Sequence, residues 1–297
     1  MNLSKWFRSA HQLARTGQLP QYIPFLNSPD RQNQITLAVG DTFHSIYTTG
    51  GQELTFPLMS VIKPFLLFYL LKEFDPGSIA SKVGQTPSDY PFNSLRQLRE
   101  DGGFPRNPMI NSGALALTDL LPGDNPCARC ENLRSWLDRE AGTNLFLSED
   151  VLTSVQSLPN PRNRDLVREL TIHNRLHDPE TVLETYNHIC CLSGTIIDLI
   201  KLGLLLIESN SPQTGLVIDI MASCGLYEAS GEFHRRTGLS TKSGVSGIIL
   251  SIVPHQGVIA CYSPPLDRQG NSVAGLFLVE KLAQLNFQQI ISEFVAL

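Results

Sequence analysis

Short β-branched and aromatic segments crowd both ends of this chain, while the long stretch between them reads as helix. That distribution leaves few ways to build a core. Residues 34–39, 44–49 and 53–56 are strand-like and punctuated by Gly40-Asp41 and Gly50-Gly51, as in an antiparallel meander. The same texture returns at 245–253 and 258–262, separated by a hairpin turn at Pro254-His255-Gln256-Gly257. Residues 273–279 are expected to add a further strand before a C-terminal helix. The middle favours helices at 111–120, 130–141, 164–173 and 181–208, joined by polar, Pro/Gly-rich connections at 75–108 and 158–162. If the terminal strands share one sheet, its domain is discontinuous in sequence: residues 1–60 and 225–297, with a mainly helical lobe over 61–224. A cleft between the two is the natural place for a site. The expected class is α/β in the α+β sense: an antiparallel sheet with flanking helices plus a mainly helical lobe.

At 297 residues, 42% of them hydrophobic, the chain can bury a large core. A formal charge of −5, with no basic run interleaved with aromatics, offers nothing to nucleic acid or an anionic membrane. The apolar stretch 56–71 is interrupted by Ser60, Lys63 and Pro64, which rules it out as a membrane span but suits a helix buried all round. Residues 3–14 read as an amphipathic helix rather than a secretory signal, so a cytoplasmic protein is expected. The six cysteines form no small-domain disulfide framework and are expected to be reduced. Cys127 and Cys130 lack a second Cys-x-x-Cys partner and read as ordinary thiols in a loop; Cys190 and Cys191 read as small core residues in helical sequence. His173 and His177 lack a third ligand and read as a helix-surface pair. Neither a metal nor another cofactor is expected.

The chemistry sits in two short motifs. Ser60-Val61-Ile62-Lys63 heads the apolar segment, and a lysine one helical turn after a serine lies on the same face, where its amine can take the hydroxyl proton. Ser60 falls where sheet gives way to helix, and Pro64 marks the helix start. There, free backbone N–H groups favour developing negative charge. Lys242-Ser243-Gly244 leads into a strand that would face the same cleft, and together the two motifs point to a serine amidohydrolase.

From residue 22 to 280 the chain resembles the serine-dependent glutaminases. The resemblance rests on Tyr22-Ile23-Pro24, Pro91-Phe92-Asn93-Ser94, the run Pro105 to Ala114, Arg162-Asn163, Gly225-Leu226-Tyr227, Ser230 to Phe233, Lys242 to Val245 and Ser263 to Asp267. It implies a β-lactamase-like fold and hydrolysis of L-glutamine to L-glutamate and ammonia by acyl transfer, without a cofactor. It also implies a small-molecule substrate and a homo-oligomer, dimer or tetramer. Carried over by residue, it makes Ser60 the nucleophile, Lys63 the general base, Tyr227 a proton relay and Tyr22 part of the same pocket. The backbone N–H groups of Ser60 and Val245 would form the oxyanion hole, and Asn111, Asn163 and Tyr186 would hold the polar ends of the substrate. Lys63 must be neutral to act as base, which burial among Phe65, Leu66 and Leu67 and the charge of Lys242 would favour.

Each residue also has a plainer reading. Ser60 could cap a helix and Lys63 snorkel to the surface; Asn111 could cap the helix that follows it and Asn163 belong to a solvated helix start. Tyr186 and Tyr227 could be half-buried aromatics with local partners, and Lys242-Ser243-Gly244 an edge strand with a protective lysine, whereas Gly244 and Gly247 fit a backbone that lets a ligand approach closely. One departure bears on substrate. Seven residues before Asn163, where the family has a glutamate for the α-ammonium of glutamine, this chain has Gln156, which leaves open a related amide as substrate or a non-catalytic binding role. Met59 and Ile62 stand where the family usually has glutamine and serine, and the segment after Glu208 is shorter. No Ser-Asp-Asn element lies between the two motifs, which argues against a β-lactamase or transpeptidase.

Overall fold

The computed structural model describes residues 2–158 and 161–296. Eight strands are present among them: β1 (Thr36–Asp41), β2 (Ile46–Thr48), β3 (Phe56–Pro57), β4 (Phe146–Leu147), β5 (Leu192–Gly194), β6 (Ser240–Ser243), β7 (Ile248–Val253) and β8 (Gly257–Tyr262). Five form one antiparallel sheet in the order β2-β1-β8-β7-β6, so strands from both ends of the chain lie side by side. The register pairs Val39 with Ile259 and Ile259 in turn with Ser251. The meander expected over 34–56 is only half present. Residues 53–55 are not strand, and β3 leaves the main sheet for a small one ordered β3-β5-β4.

The helices are α1 (Leu3–Ala14), α2 (Ile62–Glu73), α3 (Pro76–Lys82), α4 (Leu95–Glu100), α5 (Asn111–Thr118), α6 (Pro126–Ala141) and α7 (Glu149–Ser157). They continue with α8 (Pro161–Ile172), α9 (Pro179–Cys190), α10 (Ile196–Glu208), α11 (Pro212–Cys224), α12 (Ser230–Thr237), α13 (Val273–Leu282) and α14 (Phe287–Val295). Every residue of β7 and β8 is buried, because both sheet faces are covered. Alternation sorts the strand residues between two cores. Ala38, Leu250, Val258 and Ala260 join the core of α2, α5 and α10, while Leu37, Val39, Ile249 and Ile259 join that of α1, α13 and α14. Helix α10 lies close on the sheet because Gly203 offers no side chain: a Cβ there would come within 2.6 Å of Val258.

Several local expectations gave way to capping chemistry. The strand expected at 273–279 is helix α13, started by Ser272, whose Oγ accepts from Gly275 N at 3.1 Å. A buried apolar run has no period to tell strand from helix, so the cap decides. The single helix expected over 181–208 is split. Cys191 closes α9, Leu192–Gly194 pairs as a strand, and Thr195 opens α10 with a reciprocal capping box to Asp198. The connection expected over 75–108 contains α3, capped by Asp75 with Pro76 in its first turn, and α4, capped by Ser94. Cys127 and Cys130 sit on α6 rather than in a loop. His173 and His177 lie beyond the end of α8 and turn to different carboxylates, Glu169 and Asp119, at 3.4 and 2.6 Å. The connection expected at 158–162 falls partly outside the described residues.

Helix α2 carries the site. Ile62 through Leu71 are all buried, so this part of the helix has no wet face, as its mostly apolar composition requires even with Lys63 among them. Truncating a buried ring of this kind to alanine typically costs about 3–5 kcal/mol. That packing holds Lys63 in the core.

Candidate active site

Ser60 sits in a tight 3₁₀ turn, Met59–Val61, between β3 and α2, and is 7% exposed. The turn is tied down by Leu58 N donating to Leu192 O at 2.7 Å, and Met59 takes a φ of +46°. A positive φ at a bulky residue is a strained backbone that only its surroundings hold in place. Met59 thus joins Tyr227, at φ +58°, as a second strained residue of the site. Among the described residues, the N–H groups of Ser60 and Val245 are bonded to no protein acceptor.

At the second position of α2, one turn after Ser60, Lys63 is 1% exposed. Its Nζ donates to Asn111 Oδ1 at 2.7 Å and to Met109 O at 3.1 Å, and stands 5.9 Å from the centre of the Tyr186 ring. Burial lowers its pKa to about 8, slightly opposed by Cys190. Lys242, on β6, is fully buried; its Nζ donates to Ser243 O at 2.7 Å and Gly225 O at 3.0 Å, and lies 4.8 Å from the Tyr227 ring centre. Burial and then the Lys63 charge hold its pKa well below the usual lysine range. Repulsion between the two buried amines disfavours charging both at once. Burial is the main cause of the weak basicity of Lys63.

Asn111 joins the predicted residues. Its Oδ1 accepts from Lys63 and, at 3.2 Å, from the Tyr186 hydroxyl, while its Nδ2 donates to Asn163 Oδ1 at 2.9 Å. Two donors on one oxygen fix which way the amide points. The capping role does not hold for Asn111: Ile110 is the N-cap residue, and no side chain caps α5. Asn163 is buried in the first turn of α8, and Tyr186, buried on α9, has its hydroxyl pKa pushed well above 10 by desolvation. The Tyr227 ring packs on Phe92 at 4.5 Å. Its hydroxyl is buried without a hydrogen bond of full geometry, although Ser60 and Ser243 face it; burial raises its pKa to about 12.

Val245 is buried beside Met59 and Ile23. Tyr22 is 53% exposed yet feels both Tyr227 and Arg162, as a side chain at the mouth of a concave site does. The surrounding protein raises its pKa, tempered by open access to water. Gln156 is not drawn in: it is exposed on the last turn of α7 and makes no hydrogen bond to the cluster. Nor do Gly244 and Gly247 make room for a ligand. Side chains there would strike Leu58 O at 2.9 Å and Pro264 Cα at 2.3 Å, so these glycines let the chain pass itself.

Cys190 is a correction and Phe92 a residue missed. One turn after Tyr186, the Cys190 thiol faces Tyr186 and Lys63, and burial raises its pKa to about 11. The i+4 offset from Tyr186 was the available signal. Phe92 lay within a matched stretch, but nothing local linked it to Tyr227. Among the described residues no group of three or more His, Cys, Asp or Glu could hold a metal, and no helix is long and apolar enough to cross a membrane.

An antiparallel sheet with helices on both faces, and two buried lysines beside a serine at the head of a core helix, define an enzyme of β-lactamase-like fold. The sequence profile of the family described as Glutaminase matches residues 17–289. A glutaminase of Synechocystis sp. is 47% identical over 285 residues, 94% of this chain and 87% of that protein. Glutaminase 2 of Escherichia coli strain K12 is 32% identical over 294 residues, 95% of each. The chain also matches the crystal structure of a covalent complex between a Bacillus subtilis glutaminase and 5-oxo-L-norleucine, formed by reaction with 6-diazo-5-oxo-L-norleucine. That likeness has a TM-score of 0.82 at 26% identity, covering 94% of this chain and 95% of the other. The chain belongs to the glutaminase family.

Proposed function

We propose that the protein hydrolyses the side-chain amide of L-glutamine to L-glutamate and ammonia through an acyl-enzyme on Ser60. One observation carries this reading: Lys63 spends two N–H bonds on two oxygens that can only accept, Met109 O and Asn111 Oδ1. A neutral amine has only those two N–H bonds, so its lone pair is left for the hydroxyl one turn away. Ser60 Oγ bonds to the amide carbon, its proton goes to Lys63, and the oxyanion is met by the free N–H groups of Ser60 and Val245. The C–N bond then breaks, and Tyr227 relays a proton to the leaving nitrogen, which departs as ammonia. Water attacks the γ-glutamyl ester by the same route in reverse and frees Ser60. Asn111, Asn163, Tyr186 and Tyr22 bind the amino-acid end. The covalent adduct in the Bacillus relative supports a nucleophile in this fold. Cytoplasmic action as a dimer or tetramer belongs to the same reading, and light scattering gives the copy number.

The direct test is ammonia release from L-glutamine by the purified protein, with asparagine as control. Absence of release from glutamine overturns the proposal. The pH dependence follows from Lys63. Below about 8 its amine is protonated and has no lone pair, so kcat/KM rises tenfold per pH unit up to pH 7 and levels off above 8. A profile flat between pH 6 and 9 would remove Lys63 as the base.

Gln156 sets a smaller expectation. In a desolvated pocket, loss of a carboxylate partner for the substrate ammonium would weaken binding by about 1–3 kcal/mol. Gln156 is exposed, however, where such a pair contributes about 0.2–1 kcal/mol. Gln156→Glu is therefore expected to lower KM for glutamine by no more than about fivefold with kcat unchanged, as steady-state kinetics would show. A larger gain would mean that the α7 end folds over bound substrate.

A further inference from the structure

Behind Tyr227 lies a buried asparagine to which neither motif drew attention. Asn271 is fully buried, and its Nδ2 donates to Leu226 O at 3.4 Å. A carbonyl only accepts, so the amide can point one way, with Oδ1 towards Ser243, whose Oγ lies 2.6 Å away. An amide oxygen cannot donate. The Ser243 proton is therefore committed to Asn271, and Ser243 presents only lone pairs to its other neighbours. One of those neighbours is the Tyr227 hydroxyl, buried between Ser243 and Ser60. Asn271 is itself anchored, its N–H donating to Asp267 Oδ1 at 2.9 Å and its carbonyl accepting from Asp267 N at 2.8 Å. It also braces strained Tyr227 from the preceding residue, while Ser230 Oγ donates to Tyr227 O at 2.6 Å and accepts from Leu226 N at 2.9 Å.

We propose that Asn271 is a positioning residue that holds the Ser243 hydroxyl as a pure acceptor, so that Ser243 cannot donate to Tyr227 and the Tyr227 oxygen stays open to take up the proton that Lys63 passes on. This rests on the reading of Ser60 as nucleophile. Without Asn271, the Ser243 proton is free to point at Tyr227 and occupy the lone pair that the relay needs. The proton from Lys63 then finds no open acceptor on Tyr227, and its transfer to the leaving nitrogen slows. Substrate binding is untouched, because Asn271 lies behind Tyr227 and away from Asn111 and Asn163.

The test is a double-mutant cycle on glutamine turnover with Ser243→Ala, Asn271→Leu and the pair together, each checked for an unchanged melting profile, alongside Asn271→Asp and Ser60→Ala. Asn271→Leu is expected to lower kcat about 10- to 100-fold with KM within about threefold, and the pair to be no worse than Ser243→Ala within about twofold. Asn271→Asp keeps an acceptor towards Ser243 in either protonation state, and its kcat should return to within about threefold of the wild type. Additive losses in the pair, or equal losses in the Leu and Asp variants, overturn the inference while leaving the nucleophile in place. Turnover that survives Ser60→Ala overturns the reading on which it rests.

Discussion

Ser60→Ala is expected to lower kcat for ammonia release from glutamine on the order of 10⁴- to 10⁶-fold, the usual result of removing a covalent nucleophile while binding and oxyanion stabilisation survive. The fold should hardly notice. Ser60 lies in a turn set by Leu58 and Met59, and its hydroxyl makes no hydrogen bond of full geometry whose loss would strand a partner. A coupled ammonia assay gives the rate, and thermal melting checks that the variant is folded. Intact mass after incubation with 6-diazo-5-oxo-L-norleucine adds a readout independent of turnover: the wild type gains one covalent adduct and the variant gains none. A variant with more than a few per cent of wild-type kcat, or one that still takes up the label, would show that another group attacks.

The second large effect is at Lys63. Lys63→Met, similar in length and apolar, should cost about 10²- to 10⁴-fold in kcat, the range of a lost general base. Lys63→Arg should be as inactive, because a guanidinium keeps the positive charge but cannot become neutral at any working pH. If the arginine variant stayed within tenfold of the wild type, charge rather than basicity would be what the site needs.

Stability carries a matching signature. The folded pKa of about 8 lies below the unfolded value of 10.5, so holding Lys63 charged costs the fold about 3 kcal/mol at pH 7. That cost is fully present below pH 8 and fades as pH rises to 10.5. Lys63→Met removes it but leaves Met109 O and Asn111 Oδ1 short of a donor, a loss of about 1–3 kcal/mol. The stability of the methionine variant relative to wild type should therefore be most favourable near pH 7 and decline between pH 8 and 10.5. Urea unfolding of both proteins across that range measures the difference directly. A difference that does not change with pH would mean that the amine is not neutralised by burial.

How much of this was legible in the sequence depended on the range over which each feature is decided. The Ser60–Lys63 pair, the hairpin at 254–257 and the amphipathic helix at 3–14 are set by offsets of a few residues. The hairpin and the helix appear in the structure where the sequence puts them. Helix α13 was misread because an apolar run of that length is compatible with either element, and Ser272, only one residue upstream, decides between them through its cap. The matched stretches contained Asn111, Asn163 and Tyr227, and the resemblance added Tyr186, but neither showed how they bear on one another.

The sequence by itself therefore determined the proposed reacting pair, the strand-rich ends and the family. Spacing along a helix and alternation along a strand are local, and family motifs survive as text. Only the tertiary structure decided what makes Lys63 a weak enough base, since its partners Met109 and Asn111 lie 46 and 48 residues away and reach it through the packing of α2 on α5. It alone showed that both lysines are buried, that Gln156 stands outside the cluster, and that Asn271 backs Ser243 from 28 residues away. These are consequences of burial and of hydrogen bonds that form only once the core has closed around them. No window of sequence contains them.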